Sequence, residues 1–264
     1  MSTVSDLIVF LEKFAPPELA EDWDNTGLLI GRRDCLVHRA MTCLTLTPDV
    51  AAEAMTENVD LVVSHHPVLF RGAKQVTDMT SEGKMLLDLI ESRVAVYSPH
   101  TSFDSSPSGI NQQLAESVGL KDILALRPSD SDETSGSGRY GVLPETLALS
   151  DFLSVVREAT AAEYLEFCGD EGASVTKVAV ACGAAGEFLS DAIQAGCDTF
   201  VTGEGRFHSA LEARNAGVAL VFVGHYSSER PAVEKLARTL GAEFSDIEVF
   251  SSRCERDPLA VFSS

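Results

Sequence analysis

Basic residues are scarce in this sequence: twenty Lys and Arg stand against forty Asp and Glu, a formal net charge of −20. A field of that sign repels phosphate backbones and argues against a broad nucleic-acid surface. Long apolar runs are missing too, and none approaches the roughly 20 residues that a membrane-spanning helix needs. The opening MSTVSDLIVFLEKF carries acids where a secretory leader would carry bases, and it reads as an amphipathic helix. The expected location is therefore cytoplasmic, with no membrane partner. Six cysteines, at 35, 43, 168, 182, 197 and 254, form no CxxC pair, which argues against a disulfide framework or a thiolate metal site. Those in AMTCLTL and VAVACGA read as small buried hydrophobes. Tryptophan occurs once, at Trp23, and is expected in the core.

What is present describes a globular chain. Of its 264 residues 45% are apolar and 23% charged, enough for one or two domains with a substantial core. The stretch PSDSDETSGSG, residues 128–138, is polar and without periodicity, and reads as a linker. It separates a first α/β unit over 1–127 from a second over 139–264.

The two halves resemble each other. HRAMTCLTLTPDVAAEAMTENVDLVVSHHP (38–67) sets above TKVAVACGAAGEFLSDAIQAGCDTFVTGEG (176–205) at an offset of 138. Both read strand, loop, helix and a second strand beginning at Asp60 or Asp198. Residues 81–104 then set above 206–229 at an offset of 125, each ending in His-x-x-x-acid: His100 to Asp104, and His225 to Glu229. Ser5-Asp6-Leu7 and Ser150-Asp151-Phe152 each read as the N-cap of an amphipathic helix. This pattern predicts an internal duplication.

The segments VDLVV, VAVY, VAVAC, DTFVT and ALVFV are short, β-branched and apolar on both faces, as in sheets covered by helices on both sides. Ligands of such sheets gather beyond the carboxyl ends of the strands. His65-His66, Asp104, His225 and Glu229 are all expected at those ends. Neighbouring side chains on an extended backbone diverge, so the histidine pair can serve two ions. If a helical turn begins after Gly224, His225 and Glu229 share one face. Imidazole nitrogens and carboxylate oxygens without a thiolate suit Zn²⁺, Mn²⁺, Fe²⁺ or Co²⁺. The expected cofactor is thus two divalent ions per subunit, bridged by Glu229 and holding an acidified water or hydroxide.

At this point DWDNTGLLIG (22–31), DLVVSHHPVLF (60–70), HTSFD (100–104), TGEGRFH (202–208) and GHYSSER (224–230), in that order over almost the whole chain, resemble the Nif-three-like family. That family is often labelled GTP cyclohydrolase I type 2. The resemblance implies two intertwined α/β units around a dinuclear site, with His65, His66, Asp104, His225 and Glu229 as ligands and Glu229 touching both ions. It also implies a toroidal homohexamer and attack at C8 of a guanine nucleotide. The sequence departs from the family in HTSFD, where Ser102 and Phe103 replace the usual Asn-Leu, which bears on the pocket wall rather than on the ligand. It has no phosphate-cradling GxxxxGK loop.

Three further residues are candidates for moving protons: His100, and the pair Glu204 and His208, four apart in TGEGRFH. Arg71 and Lys74 are candidates for neutralising a substrate phosphate. The expected function is metal-dependent hydrolysis of a nucleotide-like or phosphorylated small molecule by a metal-bridging hydroxide. The alternative is a non-enzymatic metal-loaded oligomeric scaffold that stores or delivers ions.

Overall fold

The computed structural model describes residues 1–129 and 132–262. In chain order its first elements are α1 (Val4–Phe14), β1 (Gly27–Ile30), β2 (Arg39–Cys43), α2 (Pro48–Thr56), β3 (Leu61–Ser64), α3 (Ser81–Glu91) and β4 (Ala95–Ser98). There follow α4 (His100–Ser105), α5 (Ile110–Ser117), β5 (Lys121–Ser129), β6 (Asp132–Ala148), α6 (Leu149–Thr160) and β7 (Glu166–Cys168). The last are β8 (Ser174–Ala181), α7 (Leu189–Gln194), β9 (Thr199–Thr202), α8 (Phe207–Ala216), β10 (Ala219–Phe222), α9 (His225–Glu243) and β11 (Glu248–Ser251). Among the described residues no helix is long and apolar enough to cross a membrane.

Two compact units form, but not the halves read from composition. The first comprises Met1–Phe103 with Ala232–Arg256, and the second Asp104–Pro231 with the tail from Asp257. The physical reason is strand pairing: β11 returns to lie parallel to β2, matching Glu248 with Arg39 and Ser251 with Thr42. The segment 128–138, expected to be a linker, instead carries the ends of β5 and β6, which pair antiparallel from Lys121↔Val142 to Ser129↔Asp132. Residues 130 and 131 of that segment lie outside the described residues. Polar, glycine-rich composition is equally compatible with the tip of a hairpin, and long-range pairing decides between the two.

In the first unit the sheet runs β1-β4-β3-β2-β11, with only β1 antiparallel to its neighbour. Met41, Cys43, Val62 and Val96 pack against Val50 and Ala54 of α2 and Met85 and Leu89 of α3. Helix α1 buries Val4, Leu7, Ile8 and Leu11, the spacing of one helical face. It starts earlier than Ser5-Asp6-Leu7 suggested. Thr3 is the N-cap, accepting from the Asp6 amide while the Asp6 carboxylate accepts from the Thr3 amide at 2.8 Å, a capping box typically worth about 1 kcal/mol.

In the second unit the sheet runs β5-β6-β8-β9-β10-β7, with β8, β9 and β10 parallel. Val178, Val180, Val201 and Val221 face Leu114 of α5 and Phe152 and Val156 of α6. The alternate residues Ala179, Ala181, Phe200 and Leu220 face Leu189 and Ala192 of α7 and Ala213 of α8. Both faces are covered, as the apolar runs predicted. Helix α6 has no side-chain cap; its leading amides, Leu149 and Ser150, donate instead to the carbonyls of Ala173 and Glu171.

One device recurs in both units. Asp60 Oδ2 accepts from the His38 and Arg39 amides at 2.7 and 3.1 Å, and Asp198 Oδ2 accepts from the Thr176 and Lys177 amides at 2.8 and 2.9 Å. Each carboxylate pins the start of the neighbouring strand and with it the register: Ala40↔Leu61 in one sheet, Val178↔Thr199 in the other. Further along, Leu61 pairs with Ala95 and Thr199 with Ala219. That pairing sets His100 against Gly224, not against His225 as the His-x-x-x-acid spacing suggested. Both positions need a left-handed turn: φ is +31° at His100 and +87° at Gly224. The second unit uses a glycine for the turn, which adopts it without strain, and places its histidine one residue later.

Candidate metal centre

The first unit gathers three imidazoles where β3 and β4 end. The ring nitrogens of His65, His66 and His100 lie within 4.8 Å of one another, and the ring centroids are 5.0 to 5.7 Å apart. His65 is buried, at 2% exposure. The backbone of the pair is held from both sides. Ser98 Oγ donates to the His65 carbonyl at 2.7 Å and Ser64 Oγ to the His66 carbonyl at 2.8 Å. His66 Nδ1 lies 2.7 Å from Thr45 Oγ1. Phe103, the departure from the family pattern, is fully buried with its ring 6.2 Å from that of His65 and 5.6 Å from Phe14. The substituted residue is thus a core wall behind the histidine.

His100 is oriented by a residue that spacing alone did not connect to it. Its Nδ1 lies 2.7 Å from Asp24 Oδ1, and Asp24 Oδ2 accepts from the Thr101 amide at 3.1 Å and the Thr101 hydroxyl at 2.5 Å. Burial pushes the Asp24 carboxyl up, but the His100 and Thr101 hydrogen bonds outweigh it and hold the group near a pKa of about 2. A left-handed turn on a non-glycine residue typically costs about 1–3 kcal/mol, and the bonds to Asp24 hold His100 in it.

The second unit places its acids and histidine beyond β8, β9 and β10. His225 opens α9, with Nδ1 2.6 Å from Glu204 Oε1 and Nε2 3.1 Å from Glu229 Oε2, one helical turn on. The hydrogen bond that His225 donates to Glu229, joined by that to Glu204 and opposed by burial, raises the His225 pKa to about 9. Glu229 is 3% exposed. Space for it is made by Gly183, where φ is +64° and a β-carbon would collide with Glu229 Oε1. The Gly183 amide donates to Ser228 Oγ at 2.9 Å, and Ser228 donates to the His225 carbonyl at 2.7 Å. Gly183→Ala is therefore expected to dislodge Glu229 and weaken metal uptake while the circular dichroism of the sheet persists. Unchanged zinc affinity by isothermal titration would contradict this.

Asp104 lies in α4. Cys182 Sγ donates to its Oδ1 at 3.4 Å, and Asn111 Nδ2 donates to its carbonyl at 3.1 Å while Asn111 Oδ1 accepts from the Cys182 amide at 2.8 Å. Burial first, then the Asp104 and Glu229 charges, push the Cys182 thiol up, so it stays a neutral donor. Just after Asp104, the carbonyls of Ser105 and Ser106 accept from Arg139 Nη2 at 3.2 and 2.8 Å.

Of the other sequence candidates, Glu204 is exposed and pairs with His225, whereas His208 is exposed on α8 with its ring against Phe207, at 5.8 Å. Arg71 and Lys74 are exposed on the segment between β3 and α3. Trp23, expected in the core, is 61% exposed; Asp24 beside it takes the buried place. A cavity of about 760 Å³ in the first unit, walled by Leu29, Ile30, Leu86, Ile90 and Val94, contains none of the histidines. Chemistry, not cavity size, locates the centre.

The donor set is the test of whether metal fits. His66, His100 and His225 each have Nδ1 engaged, by Thr45, Asp24 and Glu204. This is how proteins fix the tautomer and orientation of a histidine whose Nε2 ligates an ion. Histidine and glutamate groups suited to holding a metal are thus present in this fold.

The chain is similar to known proteins over nearly its whole length. The chain is 32% identical to a GTP cyclohydrolase 1 type 2 homolog of Clostridium acetobutylicum over 90% of this chain and 89% of the relative. It is 31% identical to the protein NIF3 homolog of Schizosaccharomyces pombe over 97% of each. Among solved structures, Staphylococcus aureus protein SA1388 superposes with a TM-score of 0.90 at 26% identity, covering 99% of both chains. Reduced HcgD from Methanocaldococcus jannaschii superposes with a TM-score of 0.83 at 26% identity, covering 96% of this chain and 98% of that one. The model of the family Duf34/NIF3 (NGG1p interacting factor 3) matches residues 2–258, and the chain belongs to that family.

Proposed function

We propose that this protein is a dinuclear metal-dependent hydrolase acting on a nucleotide-like or phosphorylated small molecule. In this reading His65, His66, Asp104, His225 and Glu229 hold two divalent ions of the zinc, manganese, iron or cobalt class, with Glu229 shared. The observation that carries it is the engaged Nδ1 of His66 and His225, an arrangement that leaves each Nε2 aimed away from its anchor. Such ions supply acidification of water and positive charge against a developing oxyanion.

The protein's own groups do the rest. His100, locked by Asp24, holds or passes a proton at Nε2. Glu204, exposed and bonded to His225 Nδ1, is a second proton acceptor at the rim, with His208 the outermost candidate. Arg71 and Lys74 attract a phosphate in an otherwise acidic molecule. An ancestral duplication belongs to the same reading, supported by the shared register and the Asp60 and Asp198 clamps. So does a cytoplasmic homohexamer, for which a mass measurement giving a monomer at micromolar concentration is the contrary result.

The test is a panel of nucleotides and phosphoesters offered to metal-loaded protein with and without chelator. Turnover that chelator stops and added metal restores is the expected result. No turnover across the panel by protein holding its ions overturns the hydrolase and leaves the storage or scaffold reading.

A further inference from the structure

The turn after β11 reaches back to the residues that hold His66. Ser252 continues the parallel pairing of β11 with β2, its amide donating to the Thr42 carbonyl at 2.8 Å. Glu53 of α2 fastens the turn, accepting from the Ser252 hydroxyl at 2.6 Å and the Arg253 amide at 2.9 Å. Glu255, a buried side chain, is thereby delivered to the loop between β2 and α2. There its Oε2 accepts from the Leu44 amide at 2.9 Å and its Oε1 from the Thr45 amide at 2.6 Å. Both residues in this grip also hold His66. The Leu44 carbonyl accepts from the His66 amide at 2.8 Å, and Thr45 Oγ1 lies 2.7 Å from His66 Nδ1.

The second unit manages the aligned loop without a carboxylate. At the offset of 138, Leu44 and Thr45 correspond to Cys182 and Gly183, whose amides donate to the neutral groups Asn111 Oδ1 and Ser228 Oγ at 2.8 and 2.9 Å. Gly183 has no hydroxyl, and the position aligned with His66 is Glu204. Of the two loops, the carboxylate and the hydroxyl thus belong to the one beside a histidine. Burial of a carboxylate carries a large desolvation penalty unless hydrogen bonds compensate it, and charge-assisted bonds from amides are stronger than neutral ones. Two oxygens on two successive amides fix both peptide planes, and with them the place of the Thr45 side chain.

We propose that Glu255 is a positioning residue: through the Leu44 and Thr45 amides it sets Thr45 Oγ1 as the acceptor for His66 Nδ1–H, which leaves Nε2 bare for an ion. The inference rests on the metal-binding reading above and adds to it a residue that acts through Thr45. An imidazole that coordinates through Nε2 carries its proton on Nδ1, and the partner of Nδ1 sets that tautomer and the plane of the ring. A hydroxyl can donate or accept, so the tautomer is secured only where the oxygen is held in line with Nδ1.

Magnetic resonance of isotope-labelled histidine nitrogens in chelator-stripped protein gives the first readout, because ring nitrogen shifts report the tautomer with no metal or substrate present. At mildly alkaline pH His66, assigned by the signal lost in His66→Gln, is expected to show a protonated Nδ1 and a bare Nε2 in the parent and in Thr45→Ser. Thr45→Val and Glu255→Gln should each turn it into a mixture of tautomers. Glutamine keeps the shape of the side chain but offers one oxygen where two amides need one each. Glu255→Asp, which keeps the charge and draws the oxygens back from the amides, should do the same and stands in if the glutamine variant does not fold. Titration calorimetry with zinc gives the second readout. Glu255→Gln and Thr45→Val should each weaken binding about 10- to 100-fold, the range for losing an outer partner of a ligand. The double variant should lose no more than Thr45→Val alone, since the hydroxyl through which Glu255 acts is gone. A lost charge acting directly on the ions, or a turn that merely comes loose, would multiply the two losses. That result overturns the proposal, as does a parental His66 tautomer in the Glu255 variants. A parent that takes up no zinc removes the metal reading, while the spectra of stripped protein still decide the role of Glu255.

Discussion

On the dinuclear reading proposed above, in which the parent takes up two ions per chain, Glu229→Gln protein, stripped with chelator and reloaded with zinc or manganese, is expected to hold at most one. Its affinity for the remaining ion should fall by more than the roughly 10–100-fold that follows loss of an outer partner of a ligand. Glutamine keeps the shape of the side chain in the space that Gly183 leaves open, so the fold survives and the loss reports the charge. The prediction is large because Glu229 is nearly inaccessible and lies 3.1 Å from His225 Nε2. A carboxylate in that setting needs a positive partner: a protonated His225 without metal, a divalent ion with it. Elemental analysis and titration calorimetry check it. Two ions bound at parental affinity would remove Glu229 from the ligand set and, with it, the shared-ligand arrangement.

Arg139→Met is expected to be the most destabilising single change in the second unit. The guanidinium is fully buried and every donor is used: Nη1 to the Gly136 and Gly138 carbonyls at 2.6 and 2.7 Å, Nη2 to Ser105 and Ser106, Nε to Gln112 Oε1 at 3.1 Å. Burial lowers its pKa to about 10, so it remains charged at neutral pH. Methionine fills much of the volume and leaves four carbonyls without their donors, at about 1–3 kcal/mol for each buried group left unsatisfied. Even if water rescues half of them, about 2–6 kcal/mol is lost. At about 2–4 °C per kcal/mol for a chain of this size class, Tm should drop by at least roughly 4–8 °C. Arg139→Lys should recover only part, because an ammonium has three donors and no fork. Because Ser105 and Ser106 follow Asp104 directly, metal affinity should fall along with Tm. A Tm within about 2 °C of the parent in Arg139→Met by calorimetry would mean the carbonyls find other partners.

The two residues differ in how they could be found. Glu229 was legible as a candidate ligand because metal chemistry favours a few residue types, and it stands four residues after a histidine at the end of an apolar strand. Arg139 was not: an arginine in the polar stretch GSGRYG reads as solvated, and only the pairing of β6 with its neighbours brings it under Ser105 and Ser106. Asp24 is a similar case, 76 residues from the histidine it orients. Trp23 was misplaced for a related reason. Composition favours a buried indole, but the Asp24 carboxylate beside it makes four hydrogen bonds inside, to the Asn25 amide, His100 and the amide and hydroxyl of Thr101, and the chain turns its neighbour outward.

By itself the sequence determined what short-range physics encodes. Runs of β-branched residues became strands buried on both faces, amphipathic spacing became α1, α3 and α6, and histidines and acids suited to holding a metal stood just beyond strand ends. The aspartates opening β3 and β9 were visible as letters in a repeat. Only the tertiary structure decided that they clamp the preceding strands and that the last strand returns to the first sheet. It also decided that 128–138 reads as a hairpin end on its described residues, and that the left-handed turn falls on His100 in one unit and on Gly224 in the other. These depend on which distant backbone groups pair. Many pairings satisfy the same local pattern, and burial of the whole sheet selects one.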